Sequence, residues 1–450
     1  MLLALGSKGR LPSAYGKSST VAAGCARKIA LTILCQLPPS SPQTETSVNA
    51  APGLATRTPG RAATRAYEAS APRRVFAEIE IFDDPIAARH VFADMATDAL
   101  ATPYQRCAFV GSWLRTIGQA EGSKALIAVV RDDCGLATAI LPLAVTQRNG
   151  LRTATFVGGK HANFHMGVFR RGLLIDREAV AELLQRIGRL ADLDALLLVN
   201  QPEAWQGERN PLAALTRQES PSNAHATKLE RDFDEWFAVH YSKNAQKKLR
   251  KKARGLAQSG EVSTIIARDE ATARRVLAAF LAQKRAQAKA GALVNDFQAT
   301  EAARFLELAA TDGLAEGCQA LELHALVRGE RILAVFGGLA GEGRFCGMIT
   351  SHDVEPEVAR CSPGELLILE VIRNVTERGF STFDLGVGEA RYKDVLCEIA
   401  ERLNDSAVGF TAKGRLLAAA FLMQRRLKRW IKHTPRALWF ANALMRRARR

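Results

Sequence analysis

The sequence predicts a mixed α/β protein made of two tandem units. Two observations carry that expectation. The order of elements read from pattern and turn residues occurs twice along the chain, and the stretch Cys361 to Lys393 reads as a helix feeding a short buried strand.

The repeat comes from the turns. In the first half, Pro85 to Ala99 and Val110 to Ile117 read as helices. Three strand-like stretches follow, Lys124 to Arg131, Leu136 to Thr146 and Leu151 to Val157, separated by turns at Asp132-Asp133-Cys134-Gly135 and Arg148-Asn149-Gly150. Asn-Gly between apolar runs is a hairpin signal, because both positions of the favoured turn need positive φ. After a loop at 158–172 carrying His161, Asn163 and His165, Arg177 to Leu190 reads as a helix and Ala195 to Asn200 as a strand. The second half repeats the order. Thr272 to Lys289 and Thr300 to Ala310 are helical. Gln319 to Val327, Arg331 to Leu339 and Arg344 to Thr350 are strands, followed by a loop, a helix and a strand. A meander followed by a helix and one more strand makes a mixed sheet in each unit.

Within Cys361 to Lys393, Ser362-Pro363-Gly364-Glu365 has the signature of a helix start, with Ser as N-cap, Pro at the first helical position and Glu closing a capping box. Ile368, Val371, Ile372 and Val375 recur at helical spacing, and Gly379 follows as the C-terminal stop. Phe380 to Leu385 reads as a buried strand. It runs into Gly386-Val387-Gly388 and a polar turn with Arg391, Tyr392 and Lys393. A helix start presents unpaired N–H groups and the positive end of its dipole, and Gly364 lets a guest approach the backbone, so phosphate or pyrophosphate is the ligand class expected there.

The 450 residues carry a net charge of +16. Residues 1–75 hold +8 and residues 411–450 hold +12, which leaves 76–410 at −4. That distribution argues against a DNA-binding core. The eight cysteines are scattered without a C-x-x-C pair, so no metal site or disulfide framework is expected, and reduced thiols in a cytoplasmic protein are. No apolar run reaches the ~18–20 residues that span a bilayer.

The expected organisation is a disordered basic extension at 1–75, a first α/β domain at 76–225, a second at 226–410, and a basic amphipathic tail at 411–450. A transit peptide or an over-extended start are the lesser readings of residues 1–75. Tyr241 to Gly260 opens the second domain with a basic helix, 243–257, whose Leu249, Ala253 and Leu256 share one face among Lys and Arg; a polyanionic ligand would suit it. In the tail, Leu416 to Ile431 is periodic, and Phe421, Trp430, Trp439 and Phe440 are candidate anchors, with Pro435 interrupting. Packing against the body or peripheral contact with an anionic membrane is expected there.

The second half resembles the CelD-like branch of the GNAT acyltransferase superfamily, whose tandem domains are akin to FemAB-type transferases. The matching residues are Trp236, "KLRKKARGLAQSG" at 248–260, "LAVFGGL" at 333–339, "HDVEPEVARCSPGELL" at 352–367 and "FDLGVGEARYK" at 383–393; "PYQRCAFVGSWL" at 103–114 and "LPL" at 141–143 fit the same group. The resemblance spans about 76–435. It implies acyl transfer from acetyl-CoA or another acyl-CoA to an amine or hydroxyl, linked to polysaccharide or cell-envelope biosynthesis. An aminoacyl-tRNA donor and a non-catalytic scaffold are the alternatives. Cys361-Ser362-Pro363-Gly364 stands where GNAT enzymes carry their acetyl-CoA loop. On this reading Ser362, Pro363, Gly364, Gly386 and Gly388 bind the donor. Asp384 or Asp353 is the base or orients the amine, Lys393 carries phosphate or oxyanion charge, and Tyr392 protonates the leaving group. His161 and His165 are expected as polar loop residues.

Overall fold

The computed structural model describes residues 75–173, 175–215, 217–290, 297, 299–434 and 436–437. The expectations for 1–74, Pro435, Trp439 and Phe440 lie outside them.

In the first half the chain runs β1 (Glu78–Phe82), α1 (Arg89–Met95), α2 (Cys107–Trp113), β2 (Lys124–Arg131), β3 (Ala137–Arg148), β4 (Leu151–Phe156), α3 (Arg177–Leu190) and β5 (Ala195–Pro202). The helix expected over Pro85 to Ala99 is shorter than its pattern, and Ala99–Leu100 is a short strand instead. The Asn149-Gly150 hairpin turn has positive φ at both residues, 52° and 73°, as a tight two-residue connection between β3 and β4 requires. Two short strands follow, β6 (Arg217–Glu219) and β7 (Ala224–Lys228).

The second half begins with α4 (Phe233–His240) and α5 (Lys243–Ala257), then repeats the first: β8 (Val262–Ile266), α6 (Glu270–Lys289), α7 (Thr300–Thr311), β9 (Glu322–Arg328), β10 (Arg331–Ala340), β11 (Arg344–His352), the four-residue α8 (Pro356–Ala359), α9 (Pro363–Glu377) and β12 (Thr382–Val387). It closes with α10 (Arg391–Leu396), β13 (Ile399–Glu401), β14 (Leu403–Gly409) and α11 (Ala412–His433). The expected turn at 391–393 is therefore the first turn of a short helix.

The mixed α/β expectation holds in both sheets. The first has strand order β1-β2-β3-β4-β5-β14-β6, and the second β8-β9-β10-β11-β12-β7-β13. In each, the fourth and fifth strands pair in parallel and briefly: Thr153 and Ala154 with Ala195 and Leu196 in one, Arg344 to Cys346 with Thr382 to Asp384 in the other. Beyond those residues the two strands part. In each, the sixth strand comes from the other half. β14 lies antiparallel along β5, with Leu403 opposite Pro202 and Gly409 opposite Ala195. β7 lies along β12, with Ala224 opposite Val387 and Lys228 opposite Thr382. The expected 225/226 boundary falls inside β7.

One hydrophobic core runs through both halves, joined where Phe109 of α2 meets Phe305 of α7 edge-on at 5.4 Å. A second lies under α4, α5 and α9, around the fully buried Trp236 and Phe345. Large side chains buried this deeply contribute about 2–3 kcal/mol each.

Candidate functional site

The expected site residues fall into two groups at different places on the second sheet. The first group surrounds the start of α9. Ser362 sits in the left-handed region, φ 52°, and makes no capping hydrogen bond. The capping box read from the sequence is not formed: Glu365 pairs with Lys252 of α5 at 2.9 Å instead. Pro363 has no N–H, so the helix opens with a backbone end that no side chain covers. The nearest atoms a Cβ on Gly364 would meet belong to His352, at 3.6 Å. Alongside, α5 carries seven Lys/Arg and no acid, and Asn244, Lys247, Lys248, Lys251 and Arg254 line a basin of about 320 Å³. An uncovered helix start and a row of cations each favour an anion.

Asp353 belongs to this end. It takes two hydrogen bonds from Arg331, at 2.9 and 2.5 Å, and accepts one from the Glu355 N–H. Since Cys346 is opposite Asp384, Asp353 lies seven residues farther on, just past the end of β11 and ~23 Å from that level. The structure does not bring the two aspartates together.

The second group centres on Asp384, which is fully buried. Arg344 pairs with it and with Glu401, the latter at 2.6 Å, and the Gly386 N–H donates to it at 2.5 Å. The Arg344 guanidinium also lies over Trp205 at 4.4 Å and Phe164 at 5.0 Å, both from the first half. Burial pushes the Glu401 carboxyl up, against the pull of Arg344. Lys393 is buried and turned inward, donating to the carbonyls of Gly386 at 2.9 Å and Val387 at 3.3 Å. Burial lowers its ammonium, with Asp384 opposing. Gly386 and Gly388 both need positive φ, 78° and 103°. Tyr392 alone of this group faces solvent, 41 % exposed.

Three further residues enter this cluster without a signal in local sequence. Asn163 reaches from the first half into the opening between β11 and β12. It donates to the Gly347 carbonyl at 3.0 Å and to the Tyr104 hydroxyl at 2.8 Å, and accepts from the Val387 N–H at 3.3 Å. A Cβ on Gly386 would strike its side chain. His225 of β7 is buried near Lys393, and its Nε2 has no hydrogen-bond partner. Burial, then Lys393, lower its pKa, which keeps the ring neutral. Arg344 is the third, since nothing marked it as the partner of Asp384.

The loop histidines are core residues rather than polar loop residues. His165 is fully buried, stacked on Phe156, and burial pulls its pKa down to about 4. His161 lies against Phe297 and Phe305.

Residues 243–394 match the family model described as acetyltransferase (GNAT) domain. That match carries the acyltransferase expectation for the second half. No curated protein matches the sequence. Solved structures with a similar fold include FemX, at 11 % identity over 76 % of this chain and 98 % of that one, with a TM-score of 0.49. A conserved protein of unknown function from Bacteroides thetaiotaomicron is 10 % identical over 73 % and 99 %, TM-score 0.47. A tandem GNAT protein from the clavulanic acid biosynthesis pathway is 14 % identical over 74 % and 99 %, TM-score 0.41. Among the described residues no helix is long and apolar enough to cross a membrane.

Proposed function

We propose that the chain transfers an acyl group from an acyl-CoA to an amine or hydroxyl, with the donor's phosphates held at the start of α9. The observation that carries this is the uncapped helix end beside the α5 cations, inside the segment that matches the GNAT model. Backbone N–H groups and the helix dipole bind the pyrophosphate, Gly364 lets it approach, and Lys247, Lys248 and Lys251 of α5 add charge.

Chemistry needs an oriented acceptor, a base and an acid for the leaving thiolate. Tyr392, the exposed member of the second cluster, is assigned as the acid. The neutral His225 is the uncharged imidazole of that cluster able to accept a proton. Asp384 and Lys393, closed in by Arg344 and by two carbonyls, set the geometry of the 386–393 turn. Asp353 is tied to Arg331 and takes no chemical role. Where β11 and β12 part, their edge groups would accept an extended donor arm only once Asn163 leaves. The acceptor class, a polysaccharide or cell-envelope precursor, rests on the resemblance of 352–393 alone.

Two observations support other readings. The α5 basin suits an RNA-borne donor, since five polar or basic side chains share one face. The burial of Asp384 and Lys393 suits a non-catalytic scaffold. Calorimetric titration with acetyl-CoA and with CoA separates them. Binding in roughly the micromolar range, weakened about tenfold by Gly364→Val, is expected. A folded protein that binds neither ligand sinks the acyl-CoA reading.

A further inference from the structure

Helix α11 lies against the first sheet on a mixed face of small, apolar and basic residues. Gly414 and Ala418 are buried against it. Arg425 donates to the fully buried Asp405 at 2.5 Å, Arg429 to the Ser220 carbonyl at 2.7 Å, and Gln218 to the Leu422 carbonyl at 2.6 Å. Leu417, Phe421 and Leu422 are half-buried towards the sheet, and a second apolar face of the helix is left uncovered. Its apolar stripe points outward: Leu416, Met423, Leu427 and Trp430, at heptad spacing, are 74, 71, 54 and 57 % exposed. At 100° per residue, Arg415 and Arg426 flank the stripe on one side, Lys413 and Lys428 on the other, and the helix holds no acid.

We propose that α11 docks the protein on an anionic lipid bilayer, laying the Leu416–Trp430 stripe among the headgroups. The charge decides the occupant. A basic rim around an apolar stripe with Trp at one end complements anionic lipid. A second copy of this chain would set two such helices side by side with only like charges at the rim. Lys432, on the last turn, reaches Glu389 at 3.7 Å, so the docked helix ends at the turn that leads into Tyr392 and Lys393. The bilayer thus lies near that turn, whatever reaction takes place there.

The test is co-sedimentation of the full chain with vesicles of phosphatidylcholine alone and of phosphatidylcholine with about a third phosphatidylglycerol. Binding at least about tenfold stronger on the anionic vesicles is expected. Met423→Ser with Trp430→Ser, both on exposed positions, should weaken it about tenfold while leaving the melting temperature unchanged. Arg415→Glu with Arg426→Glu should abolish the preference for anionic lipid. Equal binding to both vesicle types, or anionic binding that survives the stripe substitutions, overturns the proposal. So does a dimer in analytical ultracentrifugation that those substitutions dissolve, with no vesicle binding.

Discussion

The helix after the meander occurs in both halves, α3 in the first and α9 in the second, and their first turns differ in one decisive way. Asp176 caps α3, its carboxylate accepting from the Ala179 N–H at 2.7 Å, and Glu178 follows in the same turn. The positive end of that helix is thereby neutralised, and an arriving phosphate would meet two carboxylates. The α9 start has Ser362 in the left-handed region with no capping bond and Pro363-Gly364 behind it, and its one first-turn carboxylate, Glu365, is paired with Lys252 at 2.9 Å. The gaps between parting strands differ too. In the first sheet the His165 ring sits beside Phe156, and the His165 backbone N–H donates to the Asn200 carbonyl at 3.2 Å. In the second, Asn163 bridges β11 and β12. Two residues apart, one loop thus serves both sheets. The two halves share one frame, and on the proposed reading only the second offers an anion site.

The largest way to break the contrast is Asp384→Asn. Each sheet has a buried ion pair beside its gap, Arg425 with Asp405 next to Asn200 and Arg344 with Asp384, and removing the Asp384 charge leaves Arg344 facing only Glu401. A loss of about 3–5 kcal/mol is expected, read by urea unfolding. In the first half His165 contributes a pH dependence of its own. Above pH 6.5 His165 is neutral folded and unfolded. Between 6.5 and about 4 the unfolded chain takes a proton that the folded one refuses. Stability should fall by up to about 3 kcal/mol as the pH drops through that window, and His165→Gln should flatten the slope. The smallest effect sharpens the comparison: Ser362→Asp, which gives α9 the carboxylate of α3, should weaken CoA binding about tenfold in titration. Asp176→Ala should leave CoA binding unchanged and cost about 1 kcal/mol.

Much of the frame was legible because local chemistry dictates it. Asn149-Gly150 requires its hairpin, the apolar spacing of 368–375 gives α9, and Gly379, at φ 80°, ends it. The strands that complete each sheet were not. β14 buries Asp405 and Ser406 and satisfies them across the fold with Arg425 and Gln201, so it carries no apolar alternation. The same holds for the site. The 362–364 start shows in its own residues, although whether Ser362 caps depends on a backbone angle that residue type does not set. Asn163 meets Gly347 and Val387 across some two hundred residues, a distance at which no spacing pattern survives.

The crossing of β7 and β14 also sets an order of assembly. On the ribosome, β6 emerges early, yet among the described strands its sheet partner is β14. The first sheet therefore waits with an open edge until residue 409 has left the exit tunnel, while β7 waits for β12. Neither half can be a finished product before the other, and a chain released early would expose both unpaired edges to its neighbours.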